Sequence, residues 1–218
     1  MLDSKYAYSY EGNNFYCYEN SNVLINKLDI RDSDRYYAFE RAMTFTRQGE
    51  LNLKPLDGAL DFEHLKAIHY FLFQDVFYWA GKTRTVAIAK VDLFCLPQYI
   101  DSYAQDVFGK LRKKNYLQHL DKDAFITGLA DFLSDLNALH PFREGNGRTQ
   151  REFIRYVAAL NGYGLDYSKI GTDENIIASH DGINGNNQKL EEIIRKSIYV
   201  LDDEQTELFT GYFKSLRK

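Results

Sequence analysis

Between residues 121 and 139 the apolar side chains Phe125, Ile126, Leu129, Phe132, Leu133 and Leu136 recur at helical spacing. The pattern predicts one long amphipathic helix with its apolar face in a core. Asp121 stands where a helix cap is expected, and Pro141 fixes the other end, because the residue before a proline is pushed out of the right-handed helical region. His140 is therefore held at the end of a rigid, packed element. Further helical periods are expected from Asp32 or Ser33 to about Gln48, with Gly49 as the stop. Another starts at Asp61 and carries Leu65, Ile68, Phe71, Leu72, Val76 and Tyr78. Others run from Pro97 to about Lys113, Gly147 to about Asn161, Gln188 to about Leu201, and Glu204 to about Leu216. Residues 83–89 alternate in the manner of a strand, and with 91–94 behind them they predict a small hairpin. The fold class is mostly α, with one short hairpin interrupting.

The chain has 218 residues, only three prolines (Pro55, Pro97, Pro141), and no repeat or linker-like tract, which favours one unit over residues 1–218. Within it, residues 1–30 read as an irregular arm, with Gly12, Asn13 and Asn14 as breakers and Val23, Leu24 and Ile25 as a short apolar turn. Residues 31–202 form the core and residues 203–218 a C-terminal helix. A net charge of −4 excludes a general basic surface for nucleic acid, so any anion site is local. Cys17 and Cys95 give neither a disulfide framework nor a CxxC pair, which fits a reducing compartment. The N-terminus has no apolar leader and no run approaches a membrane span, so the expected location is cytoplasmic.

The stretch after the long helix, HPFREGNGRTQR over residues 140–151, concentrates charge where a helix begins. Gly145 and Gly147 allow positive φ angles and close approach by a ligand. The first N–H groups of the helix that follows have no intrahelical partners and carry the positive end of its dipole. Arg148, Arg151 and Arg155 share one face of that helix, where cations oppose the dipole unless an anion lies between. Glu144, a lone carboxylate beside such an anion site, is the usual anchor of Mg²⁺ that takes its remaining ligands from phosphates. His140 can serve as a general base. Taken singly, His140 also reads as a helix cap, Glu144 with Arg148 as a surface ion pair, and Arg155 as a residue outside the site. Together they describe a nucleotide-phosphate site with a metal and a base, without saying which phosphate is attacked.

The stretch is similar to the Fic family signature, HPFx[D/E]GNGRxxR, and matches it at every position. Segments around residues 16–32, 76–90 and 182–194 resemble the family in the same order, so the resemblance covers nearly the whole chain. It implies the Fic fold, a compact helical bundle with a short β-hairpin flap beside the active-site loop. It also implies transfer of AMP from ATP to a Tyr, Thr or Ser hydroxyl of a target protein. By motif position, His140 is the base and Phe142 the core anchor of the loop. Glu144 is the Mg²⁺ ligand, Gly145, Asn146 and Gly147 are the phosphate cradle, and Arg148 and Arg151 hold the β- and γ-phosphates. Thr85, Val86, Ala87 and Ile88 form the flap that docks the target by strand addition. Residues 182–190 are a wall of the adenine pocket by resemblance, or a polar loop capping the next helix. Gly147, in place of the lysine of kinase-type members, favours AMP transfer. The alternatives are a kinase or phosphocholine transferase on the same fold, or a secreted effector.

Many family members are silenced by a glutamate in an [S/T]xxxE[G/N] helix that pairs with the second motif arginine, here Arg151. Only Thr46 and Glu50 have the required spacing, with Gly49 between them and Leu51 after, a poor match. The chain is thus expected to be a toxin-type enzyme. Its partners would be ATP, a hydroxyl-bearing target and a small helical antitoxin, with no nucleic acid and no membrane.

Overall fold

Asp32, Asp61 and Asp121 each accept a backbone N–H with a side-chain oxygen at the start of a helix, the role that short acidic side chains fill best. The computed structural model describes residues 8–10, 15–90 and 92–212. Eight helices lie within them: α1 (Ser33–Leu53), α2 (Phe62–Phe73), α3 (Ile100–Lys113), α4 (Lys122–Leu139), α5 (Asn146–Leu160), α6 (Thr172–Ile183), α7 (Gln188–Ser197) and α8 (Asp203–Tyr212). Five short strands join them: β1 (Tyr8–Tyr10), β2 (Ile88–Lys90), β3 (Asp92–Leu93), β4 (Tyr163–Leu165) and β5 (Ile198–Val200).

The architecture is mostly helical, as expected. α4 lies at its centre, packed against α3, α5, α6 and α7. Phe125, Ile126, Leu129 and Leu136 are buried there, each worth roughly 1.5–3 kcal/mol of gross burial. α5 packs on α4, α2 and α8, and α1 packs on α2, so the loop between α4 and α5 is seated on the core.

Several expectations change. α1 runs on through Gly49 to Leu53, because packing of Leu51 in the core outweighs the weak helix propensity of one glycine. α2 stops at Phe73, and Tyr78 is 66% exposed rather than on its apolar face. α6 was not foreseen. Residues 198–200 leave the helix to form β5, which pairs antiparallel with β4. The N-terminal arm contains a strand, β1, antiparallel to β2 with Tyr8 opposite Lys90, Ser9 opposite Ala89 and Tyr10 opposite Ile88. The expected hairpin thus becomes a sheet of order β1-β2-β3. Residues 1–7, the breakers Gly12, Asn13 and Asn14, Val91 of the hairpin, and the end of the C-terminal helix at 213–218 lie outside the described residues.

Candidate active site

Leu139 ends α4, and His140 caps it with φ 41° and ψ 59°, a left-handed conformation that costs any non-glycine residue and persists only where its surroundings impose it. Those surroundings are specific. The His140 N–H donates to Leu136 O at 3.1 Å. Its carbonyl accepts from Arg84 Nε at 2.8 Å. Its ring is 3.8 Å from Phe94 at 13°, a parallel stack. Nδ1 lies 3.3 Å from Asn137 O and, facing a carbonyl, carries the proton. Nε2 is then the acceptor nitrogen, the form a general base requires.

Arg84 is 2% exposed and has no acid beside it in these bonds. Its guanidinium donates to the carbonyls of His140, Val86 and Cys95, and its backbone N–H donates to Pro141 O. Burial pulls its pKa down to about 10, which leaves it charged at neutral pH. One buried cation thereby ties His140 to the segments that flank the hairpin.

The loop is closed from inside. Phe142 is 1% exposed and stacks on His69 at 3.8 Å. Asn146 donates from Nδ2 to Phe142 O at 2.7 Å and accepts from Phe142 N at 2.9 Å. Its side chain is spent on the loop, so it can meet an anion through its backbone N–H. His69 accepts from Gly81 N at 2.8 Å through Nδ1, so Nε2 donates to Glu144 O at 3.0 Å. Burial pulls the His69 imidazole down to about 3, keeping it neutral. Gly145 has φ 82°, and a Cβ there would sit 2.2 Å from the Phe73 ring, so only glycine fits. Asn146, Gly147 and Arg148 then form the first turn of α5, whose N–H groups lack partners within the helix.

Glu144 is a third exposed and accepts from Gly145 N at 2.9 Å through Oε1. Its Oε1 is 3.9 Å from Arg148 Nη2. A single, partly exposed carboxylate beside an anion-binding helix start fits Mg²⁺ that draws its other ligands from phosphates and water. Arg148 is gripped by α1: Nη2 is 2.6 Å from Glu40 Oε1, and Nη1 donates to Thr44 Oγ1 at 3.1 Å. Arg151 lies 5.9 Å from the Tyr167 ring and, among the described residues, has no acid in ion-pair range. Burial lowers its pKa. Arg155, by contrast, is paired with Glu152 and bonded to Leu51 O. Arg143 and Glu152 are both buried.

Of the expected flap residues only Ile88 lies in a strand. Thr85 N donates to Tyr16 Oη, Val86 O accepts from Arg84, and Val86 and Ile88 are buried. Residues 182–190 join α6 to α7, where Asn187 bonds Asp131 of α4; they line neither groove that Arg148 shares with α1. Sequence reading missed His69 and Glu40, and it placed Arg84 and Phe94 in the hairpin without their contacts to the loop. Each is a polar or aromatic residue in an apolar pattern, and only a contact to the loop reveals its role.

Residues 59–158 match the Fic/DOC family model. A protein named probable protein adenylyltransferase Fic, from Salmonella typhimurium, is 35% identical over 86% of this chain and 94% of its own length. The chain belongs to the Fic/DOC family. The protein adenylyltransferase VbhT of Bartonella schoenbuchensis is 39% identical over 87% of this chain. The Fic chain spans 40% of VbhT's length. Among solved structures, the Fic-fold neighbour BepC of Bartonella tribocorum, with bound AMPPNP, superposes with a TM-score of 0.79 at 25% identity, covering 86% of this chain and 98% of that one.

Proposed function

We propose that this Fic chain transfers AMP from ATP to a Tyr, Thr or Ser hydroxyl of a target protein. The observation that carries the reading is the His140 ring, pinned by Asn137 and Phe94 with Nε2 as acceptor, one loop away from a helix start flanked by Arg148 and Arg151. His140 takes the hydroxyl proton as the oxygen attacks the α-phosphorus, and the bond from that phosphorus to the bridging oxygen breaks. Arg148 and Arg151 hold the departing pyrophosphate, and the N–H groups of the first turn of α5 face the charge that develops. Mg²⁺ held by Glu144 would neutralise phosphate charge when bound. The relatives named protein adenylyltransferase support this reading.

The test is incubation with Mg²⁺, a cell lysate and ATP labelled at either the α- or the γ-phosphorus. Protein label from the α-position only, absent in His140→Ala, is expected; label from the γ-position would make the chain a kinase.

The same reading makes the chain the toxin of a toxin–antitoxin pair acting in the cytoplasm. Glu50 is turned to Arg47 at 2.8 Å, so it does not serve Arg151. No helix among the described residues is long and apolar enough to cross a membrane. An acidic side chain for Arg151 would then come from a separate small helical protein.

A further inference from the structure

Arg148 meets α1 with one edge of its guanidinium. Nη2 is 2.6 Å from Glu40 Oε1, and Nη1 donates to Thr44 Oγ1 at 3.1 Å. Thr44 lies one turn after Glu40, and its hydroxyl donates to Glu40 O at 2.9 Å. With its hydrogen spent there, Oγ1 meets the guanidinium with a lone pair, so the two α1 residues make one fixed clamp. The Phe73 ring closes a face of the guanidinium, 4.7 Å from Cζ. The end-on edge of the fork, Nη1 with Nη2, is thus turned to α1. The side-on edge, Nε with Nη2, is the one left for an acceptor from outside.

Such a pair either ties α1 to α5 or aims Arg148. Burial decides between them. A tie hides both partners, as with Arg155 and Glu152, whose side chains are 18% and 2% exposed. Here the Glu40 side chain is 6% exposed and that of Arg148 31%, so the acid is hidden and the cation stays open. Arg148 lines both grooves that it shares with α1. The tie is also supplied elsewhere, because Gln48 and Leu51 of α1 already bond Glu152 and Arg155 of α5. Charge adds a reason for the clamp. Arg148 is the third residue of α5, where a cation opposes the helix dipole, and the Glu40 carboxylate offsets that repulsion.

We infer that Glu40, seconded by Thr44, is a positioning residue that holds Arg148 by its end-on edge and so presents the side-on edge to the departing pyrophosphate. This rests on the adenylyl-transfer reading. A fork fixed in advance has no orientation to lose as the reaction proceeds, which raises the rate. The same carboxylate repels the phosphates, so the clamp costs affinity. Rate and affinity therefore move apart when its charge is removed.

The test uses Glu40→Gln, which keeps the shape and an acceptor oxygen, and Thr44→Val, which removes only the hydroxyl. In the full chain, the initial rate of α-phosphate labelling of lysate proteins is measured at saturating ATP, per folded molecule. It is expected to fall about tenfold in Glu40→Gln and about threefold in Thr44→Val. The affinity of Glu40→Gln for a non-hydrolysable ATP analogue should equal or exceed that of wild type. A pair that only tied the helices would lower the unfolding midpoint and leave the rate per folded molecule unchanged. A wild-type rate in either variant overturns the inference. So does analogue binding that weakens in step with the rate, which would make Glu40 a support for binding rather than for orientation. Absence of α-label with wild type would instead defeat the adenylyl-transfer reading itself.

Discussion

His69 shows how much a single neutral imidazole can fix. It bridges Gly81 N and Glu144 O while its ring is stacked on Phe142, so the backbone of the proposed metal ligand depends on one tautomer. Its folded pKa of about 3 lies far below the ordinary value near 6.5. The unfolded chain therefore binds a proton within that window that the folded chain does not. Stability is complete above about pH 6.5 and is lost as pH falls towards 3, by at most about 1.4 kcal/mol per pH unit. His64, also lowered by burial, acts in the same direction. Replacing His69 with glutamine, which bonds but does not titrate, should flatten the slope of urea midpoint against pH between about 6.5 and 4.5 by roughly one proton. An unchanged slope would assign the acid sensitivity to other groups.

At the level of elements, the site is held by helix pairs. α1 and α5 meet through a cluster in which Glu152, 2% exposed at its side chain, accepts from Gln48 and, through both carboxylate oxygens, from Arg155. Arg155 in turn reaches Leu51 O. Removing one partner of such a pair leaves a buried charge uncompensated, which typically costs about 3–5 kcal/mol. Glu152→Ala should lose about 3 kcal/mol in denaturant unfolding, towards the low end because Arg155 retains its bond to Leu51. Its transfer rate per folded molecule should stay within about twofold of wild type, since Arg155 is engaged by Glu152 and Leu51 O rather than by the loop. A stable variant would show that the cluster is dispensable. The same level explains what sequence could reveal. α4 and the start of α5 were legible because their periods, caps and glycines are local signals. β1, β4 and β5 were not, because three-residue strands carry too little alternation to be seen and exist through partners some 35 or 80 residues away. The motif likewise suggests which side chains would face the phosphates. It could not tell that Asn146 spends its side chain on Phe142, or that Arg84 ties the flanks of the hairpin to His140.

Across the whole molecule, α1, α5 and the segment after β4 enclose a groove of about 730 Å³ lined by Arg41, Phe45, Leu72, Arg151 and Tyr167 among others. Phe45 is 81% exposed there, an apolar ring in water beside a guanidinium that has no acid in ion-pair range among the described residues. A small helical antitoxin carrying an acidic residue fits both features, with its carboxylate on Arg151 and an apolar residue on Phe45. Such a charge would occupy the position proposed for the γ-phosphate, so inhibition should compete with ATP. Phe45→Glu separates binding from catalysis. The side chain is solvent-exposed, so stability should move by no more than about 0.5 kcal/mol and basal AMP transfer should be unchanged. Placing a carboxylate against an acidic, apolar partner should weaken inhibition by about tenfold or more. The measurement is α-phosphate labelling during titration with a co-expressed protein bearing the [S/T]xxxE[G/N] motif. Equal inhibition of wild type and Phe45→Glu would move the partner off this groove, and an isolated chain that restrained its own activity would remove the need for a partner.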